Sequence, residues 1–130
     1  MKIAMLCLIA LTGCTTMPSN QSVVGRWGGQ HVGLELGTAG GTLDYDCAAG
    51  TIEGPLLVDA AGRFTAKGTH TPGIGGPAQI GVTPRSHPAN YSGSVRDDTM
   101  TLVVEVPAIP ARIGPVSLRR GAEPVLLRCL

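Results

Sequence analysis

Aromatic side chains are scarce: one Trp, one Phe and two Tyr among 130 residues, 3% of the chain. That scarcity excludes a base-stacking platform and an aromatic strip for carbohydrate. Charge is sparse and balanced, ten basic against nine acidic residues for a formal +1, so the electrostatic footprint of a nucleic-acid binder is missing. The three His (His31, His70, His87) lack short ligand spacing and no CxxC pair occurs, which argues against a zinc or redox motif; they are expected as exposed surface residues. There is no Gly-x-Ser-x-Gly elbow and no Walker loop. Gly73-Ile74-Gly75-Gly76 has no following helix and no Lys to hold a phosphate. Asp44 with Asp46 fits a solvated strand face, and Asp97-Asp98 a hairpin turn, better than a glycosidase carboxylate pair. No sustained i, i+3, i+4, i+7 apolar stripe marks a helix. The expectation is a non-enzymatic domain with no metal and no cofactor.

The N-terminus is distinctive. Lys2 precedes an apolar run at residues 3–11 and then small residues, the pattern of a secretory signal. The run falls well short of the roughly 20 residues that span a bilayer. Leu11-Thr12-Gly13-Cys14 resembles the lipobox of bacterial lipoproteins. The resemblance implies that residues 1–13 are removed and that Cys14 is acylated as the first mature residue, with a palmitate-bearing anchor. More than one acyl chain gives stable membrane attachment. Residues 14–24 then form a flexible tether, and residues 25–130 the folded domain. In well-studied Gram-negative lipoproteins an Asp after the lipidated Cys favours the inner membrane. Thr15 stands there instead, which implies the periplasmic face of the outer membrane.

Of four Cys, Cys7 leaves with the signal and Cys14 takes the lipid. Cys47 and Cys129 remain, and an oxidising compartment favours a disulfide between them. Cys47 continues the alternation of Leu43 and Tyr45, and Cys129 that of Val125 and Leu127, so both are expected to point inward. Such a bridge closes most of the domain and is worth roughly 4 kcal/mol.

From Gly25 onward the apolar residues recur with period two, the mark of half-buried strands. The inward sets are Val32, Leu34, Leu36; Leu43, Tyr45; Ile52, Gly54, Leu56, Val58; Phe64, Ala66, Gly68; Tyr91, Gly93, Val95; Met100, Leu102, Val104, Val106; Val116, Leu118; and Val125, Leu127. Turns are expected at Gly37 to Gly41, Ala48-Ala49-Gly50, Asp59-Ala60-Ala61-Gly62 and Asp97-Asp98. With 19 Gly and 10 Pro, the chain suits an all-β fold of about eight strands. A small up-and-down antiparallel barrel fits best, because closure removes both sheet edges; a two-sheet sandwich is the alternative. Residues 70–88 break the rhythm with Pro72, Gly73, Gly75, Gly76, Pro77, Pro84 and Pro88. The interval is long for a hairpin connection, and long structured loops often carry function. It is the candidate interaction loop, with His70, Ile74, Gln79, Arg85 and His87, and residues 79–82 fit a short strand within it. Residues 107–115 form a second Pro-rich loop.

Trp27-Gly28-Gly29-Gln30-His31, Asp46-Cys47-Ala48-Ala49-Gly50-Thr51-Ile52, Gly62-Arg63-Phe64, Gly75-Gly76-Pro77, Tyr91-Ser92-Gly93, Thr99-Met100-Thr101-Leu102, Arg120-Gly121 and Cys129-Leu130 together resemble a group of small, uncharacterised bacterial secreted proteins and lipoproteins. That resemblance implies a fold and no activity. Gly25-Arg26-Trp27 resembles the Gly-x-Trp start of lipocalin-like barrels, where the Trp closes the barrel floor under a late Arg. Tyr45-Asp46-Cys47 is similar to the Tyr-x-Cys of periplasmic barrel inhibitors of C-type lysozyme, though their Ser-Gly-Ala loop is unmatched. The leading functional expectation is a lipid-anchored envelope domain that binds another envelope protein. A carrier of a small apolar ligand in a barrel calyx is the alternative. An enzyme inhibitor or a hydrolase ranks lower.

Overall fold

The computed structural model describes residues 21–73 and 85–127. The signal segment, Cys14, Ile74, Gln79 and Cys129 lie outside the described residues. Ten strands follow one another: β1 (Gln21–Ser22), β2 (Gly25–Gly29), β3 (Val32–Gly37), β4 (Gly40–Tyr45), β5 (Ala48–Glu53), β6 (Leu57–Val58), β7 (Arg63–Pro72), β8 (His87–Arg96), β9 (Thr99–Val106) and β10 (Ala111–Arg120). Eight of them close an antiparallel barrel in the order β10-β2-β3-β4-β5-β7-β8-β9, while β1 and β6 pair separately. Closure leaves no barrel strand with an open edge. The sandwich alternative is thereby set aside.

The interior holds most of the side chains that period two assigns to it, with Tyr45, Val58, Ala66, Val95 and Val116 half-buried against the core. Leu34, Leu36, Leu43, Ile52, Leu56, Phe64, Leu102, Val104 and Leu118 are all buried, around a fully buried Trp27 and Met100. Each such burial contributes about 1.5–3 kcal/mol. An eight-stranded barrel is just wide enough for side chains to fill, and these fill it.

Several expectations need correction. Gly54 leaves the barrel at φ 74, so Leu56 and Val58 do not continue β5. Leu56 instead plugs one end of the barrel together with Val23, whose N–H donates to the Leu56 carbonyl at 2.9 Å. Residues 21–23, expected in the tether, thus belong to the folded part of the chain. Ala48, Ala49 and Gly50 form the start of β5, and the turn falls at Asp46-Cys47. Cys47 lies past the end of β4 and is exposed, not inward. The second Pro-rich loop shrinks to residues 107–110, because β10 absorbs Pro115 at an irregularity between Ile113 and Val116. A bulge is where a strand tolerates a proline.

The last stretch is not a strand either. Val125, Leu126 and Leu127 are exposed, and residues 122–127 run as a strap along the outside of β2 and β3. Val125 forms a single parallel bridge with Gln30. Gly28 and Gly33 face each other across the two strands. A Cβ on Gly28 would collide with the Ala122 carbonyl, and one on Gly33 would stand 2.9 Å from Pro124 Cγ. The two glycines form a side-chain-free track for the strap.

Connectivity gives the barrel two distinct ends. One carries the entering chain, the connections at residues 38–39, 54–62 and 97–98, and the exit after Arg120. The other carries those at residues 30–31, 46–47, 73–86 and 107–110. At the first, Trp27 packs under Arg120, whose guanidinium carbon lies 4.4 Å from the ring centroid. Arg120 also donates to the Val24 carbonyl at 3.2 Å and pairs with Asp98 at 3.4 Å.

Candidate functional site

The second end is polar where the first is apolar. Continuing the alternation Phe64, Ala66, Gly68 by one step brings His70 into the interior, where it is 5% exposed. Stepping back from Tyr91 and Ala89 reaches His87, directly opposite His70 on β8. The expected loop of residues 70–88 is therefore strand at both ends, and the connection is residues 73–86. Of the three His expected at the surface, His70 is buried, His87 is half-buried and only His31 is exposed. Arg85 is exposed just before β8.

Tyr45, at the end of β4, brings its ring to 5.5 Å from the His70 imidazole, centroid to centroid. Tyr91 reaches the same region, and its hydroxyl donates to the Thr69 carbonyl at 2.6 Å. Gly50, opposite His70, makes room for both phenols: a Cβ there would stand 2.5 Å from the Tyr91 hydroxyl and 3.6 Å from the Tyr45 ring. Among the described residues, His70 Nδ1 and the Tyr45 hydroxyl are buried without a hydrogen bond of full geometry, the Tyr91 phenol being the polar neighbour of the latter. Such orphaned groups cost about 1–3 kcal/mol each. Trp27 Nε1, in the other half of the barrel, shares that condition.

Ionisation follows from the surroundings. Burial, and then the neighbouring His87, lower the His70 pKa, so the imidazole is held neutral. Burial first, then the Tyr91 phenol, push Tyr45 far above the ordinary phenol range. Burial pushes Tyr91 up to about 12, with the Tyr45 hydroxyl partly offsetting it. All three groups are uncharged at neutral pH and offer hydrogen bonds rather than charge.

A second polar node lies beside this end. His31, at φ 70 in the β2–β3 turn, pairs through Nδ1 with Asp46 Oδ2 at 2.5 Å. The other Asp46 oxygen accepts from the Leu127 N–H at 2.7 Å. The His31 N–H donates to the Val125 carbonyl and the Val125 N–H to the Gly29 carbonyl, at 2.8 and 3.0 Å. Asp46 thus fastens the strap to the rim. Asp44 remains on the outer wall of β4, and Asp97 and Asp98 occupy the β8–β9 turn. Asp46 meets the His31 imidazole, whereas Asp44, Asp97 and Asp98 meet none among the described residues. Among the described residues, no group of three or more His, Cys, Asp or Glu could hold a metal ion.

The Tyr45–His70–Tyr91 grouping was hidden in the sequence by Pro72 and Gly73, which make His70 look like loop. The signal that finds it is the unbroken alternation on β7 and β8. These features define the chain as a small, side-chain-filled antiparallel β-barrel with one apolar and one polar end. No protein-family model, curated protein or solved structure matches it.

Proposed function

We propose that this chain is a lipid-anchored protein of the bacterial cell envelope, and that its barrel is a non-enzymatic binding domain. It engages an envelope protein through the end that carries residues 30–31, 46–47, 73–86 and 107–110. The observation that carries this reading is His70 Nδ1, buried beneath that end with no hydrogen-bond partner among the described residues. Unpaired buried polar groups are retained at a cost, and function is a common reason. The entering chain reaches the barrel at the opposite end, so an anchor at Cys14 leaves this end pointing away from the lipid. The filled interior favours surface recognition over carriage of a ligand in a calyx.

The test is capture from envelope extract by the wild-type chain, a variant with residues 74–84 replaced by a two-residue turn, and a Tyr45→Phe/His70→Leu double variant. A partner held by the wild type and lost by both variants supports the reading. A partner held equally by all three overturns it. The Cys14 anchor is tested by mass spectrometry of protein from the bacterial host, and an unmodified N-terminus at another residue would remove it.

A Cys47–Cys129 disulfide belongs to the same proposal. Its support is the Leu127 N–H bond to Asp46, the neighbour of Cys47. Two further residues extend at most about 7 Å, so Cys129 starts close enough to reach the Cα separation of roughly 4.4–6.8 Å that a disulfide needs. Non-reducing peptide mapping should recover the linked pair; two alkylatable thiols in the oxidised mature chain would refute it.

A further inference from the structure

Arginines on this barrel divide into two groups. Arg26 pairs with Glu35 and Glu123, Arg112 with Glu105, and Arg120 with Asp98. Among the described residues, Arg63, Arg96 and Arg119 make no ion pair, and all three are exposed. Register brings them together on the outer wall. Arg63 lies opposite Ser94, and Ser94 opposite Thr101. One step further along the same face, Arg96 lies opposite Thr99, and Thr99 opposite Arg119. Arg96 and Arg119 are thus two strand spacings apart, about 9.6 Å between backbones, with a threonine between them. Arg63 stands one strand over from Arg96 and two residues along, about 8 Å away.

Arg63 and Arg96 line a recess of about 750 Å³ together with Asp97, Ser94, Thr99 and Thr101, and Arg119 stands beside it on the next strand. Asp98 beside it is already held by Arg120. Asp59, on the approach to Arg63, spends one carboxylate oxygen on the Ala61 and Arg63 N–H groups. The recess therefore presents two guanidinium forks and three hydroxyl donors against the single lining carboxylate of Asp97, which leaves it net positive.

We infer that this recess binds a phosphate group. A guanidinium fork satisfies two anionic oxygens. A carboxylate is exhausted by one fork, whereas a phosphate has oxygens for two forks and for hydroxyls such as Ser94 and Thr99. The site is separate from the polar end of the barrel, so its fate is independent of the function proposed above. It lies on the half of the barrel where the chain enters. The same chemistry fits the headgroup of an anionic phospholipid and a soluble phosphate, and the test separates them.

The full chain carrying Cys14→Ser, so that no acyl chain contributes, is titrated with inorganic phosphate and, separately, with vesicles of phosphatidylglycerol or of phosphatidylcholine. Binding to phosphate, or to phosphatidylglycerol over phosphatidylcholine, is expected, and the responding arm identifies the source. Arg63→Gln and Arg96→Gln should each weaken that binding about tenfold or more, and Arg63→Lys and Arg96→Lys by less, because charge survives without the fork. Arg112→Gln, on the same wall but already paired, should leave it unchanged. Absence of binding in both arms overturns the inference, as does equal weakening by Arg112→Gln. Since all these side chains are exposed, an unchanged unfolding midpoint confirms that each variant is folded.

Discussion

The two ends of the barrel solve the same problem in opposite ways. Each must cover the open mouth of a cylinder of strands. At the entry end, Val23 and Leu56 plug the mouth, and Arg120 is spread over Trp27. Apolar area and a cation on an aromatic face meet there, both favourable. At the far end the interior finishes in Tyr45, His70 and Tyr91, with only the Tyr91 hydroxyl satisfied. The entry end is built for stability. The far end gives up more of it, since among the described residues Trp27 Nε1 is the one buried side-chain polar atom left unpaired in the entry half.

If that division holds, the largest effect comes from the entry end. Trp27→Ala should cost about 3–5 kcal/mol, measured as a lowered midpoint in denaturant unfolding. A cost below about 1 kcal/mol would mean that the plug, not the Trp, holds this end. Next comes the strap that joins the two ends. Gly28→Val drives a side chain into the Ala122 backbone and should cost about 1–3 kcal/mol. Amide exchange at residues 122–127 should rise sharply while the central strands stay protected.

The far end is expected to respond to pH and to small edits. His70 titrates below its ordinary range in the fold, so the folded state binds fewer protons than the unfolded one. Its contribution is intact above the unfolded value of about 6.5 and is lost as pH falls below it. His70→Leu should flatten the acid side of a plot of unfolding midpoint against pH. Tyr91 behaves in the reverse sense: raised to about 12, it favours the fold below the unfolded value of about 10 and loses that contribution as pH climbs through its folded value.

The smallest effects separate the two phenols. Tyr91→Phe loses a bond to the Thr69 carbonyl and should cost about 1 kcal/mol. Tyr45→Phe removes an orphaned hydroxyl and should be neutral or stabilising by a similar amount. Opposite signs in thermal unfolding would sharpen the contrast between a satisfied and an unsatisfied group; equal costs would show that the Tyr45 hydroxyl is paired in solution.

Much of the barrel was legible because alternation is a local property. Leu34, Leu36, Leu43, Phe64, Leu102 and Leu118 needed only their neighbours to be assigned inward. What failed depended on distant contacts. Val23 looked like tether because its partner is Leu56, and Leu56 looked like strand because nothing nearby announces a plug. Val125 and Leu127 alternate like a strand, yet they end a strap whose residues 122–124 lie on a glycine track formed by Gly28 and Gly33, which period two does not encode. The polar end was hidden by composition: Pro72 and Gly73 suggest loop, and tertiary pairing carried β7 past that suggestion as far as Pro72. The phosphate recess was invisible because Arg63, Arg96 and Arg119 are far apart in sequence and meet only through register.

The seam between β10 and β2 has a bearing on how the molecule is made. Only Arg119↔Gly28 and Arg120↔Trp27 pair across it, and every other barrel junction joins segments that are closer in sequence. Synthesis delivers a chain from its N-terminus, so the strands from β2 to β9 arrive, and can pair, before the one that completes the ring. During that interval β2 and β9 are bare edges, open to pairing with another chain. Closure is the step of longest sequence separation and so the slowest to find. A chain cut short before Ala111 would remain an open, sticky sheet, and protection from aggregation comes only with the final residues.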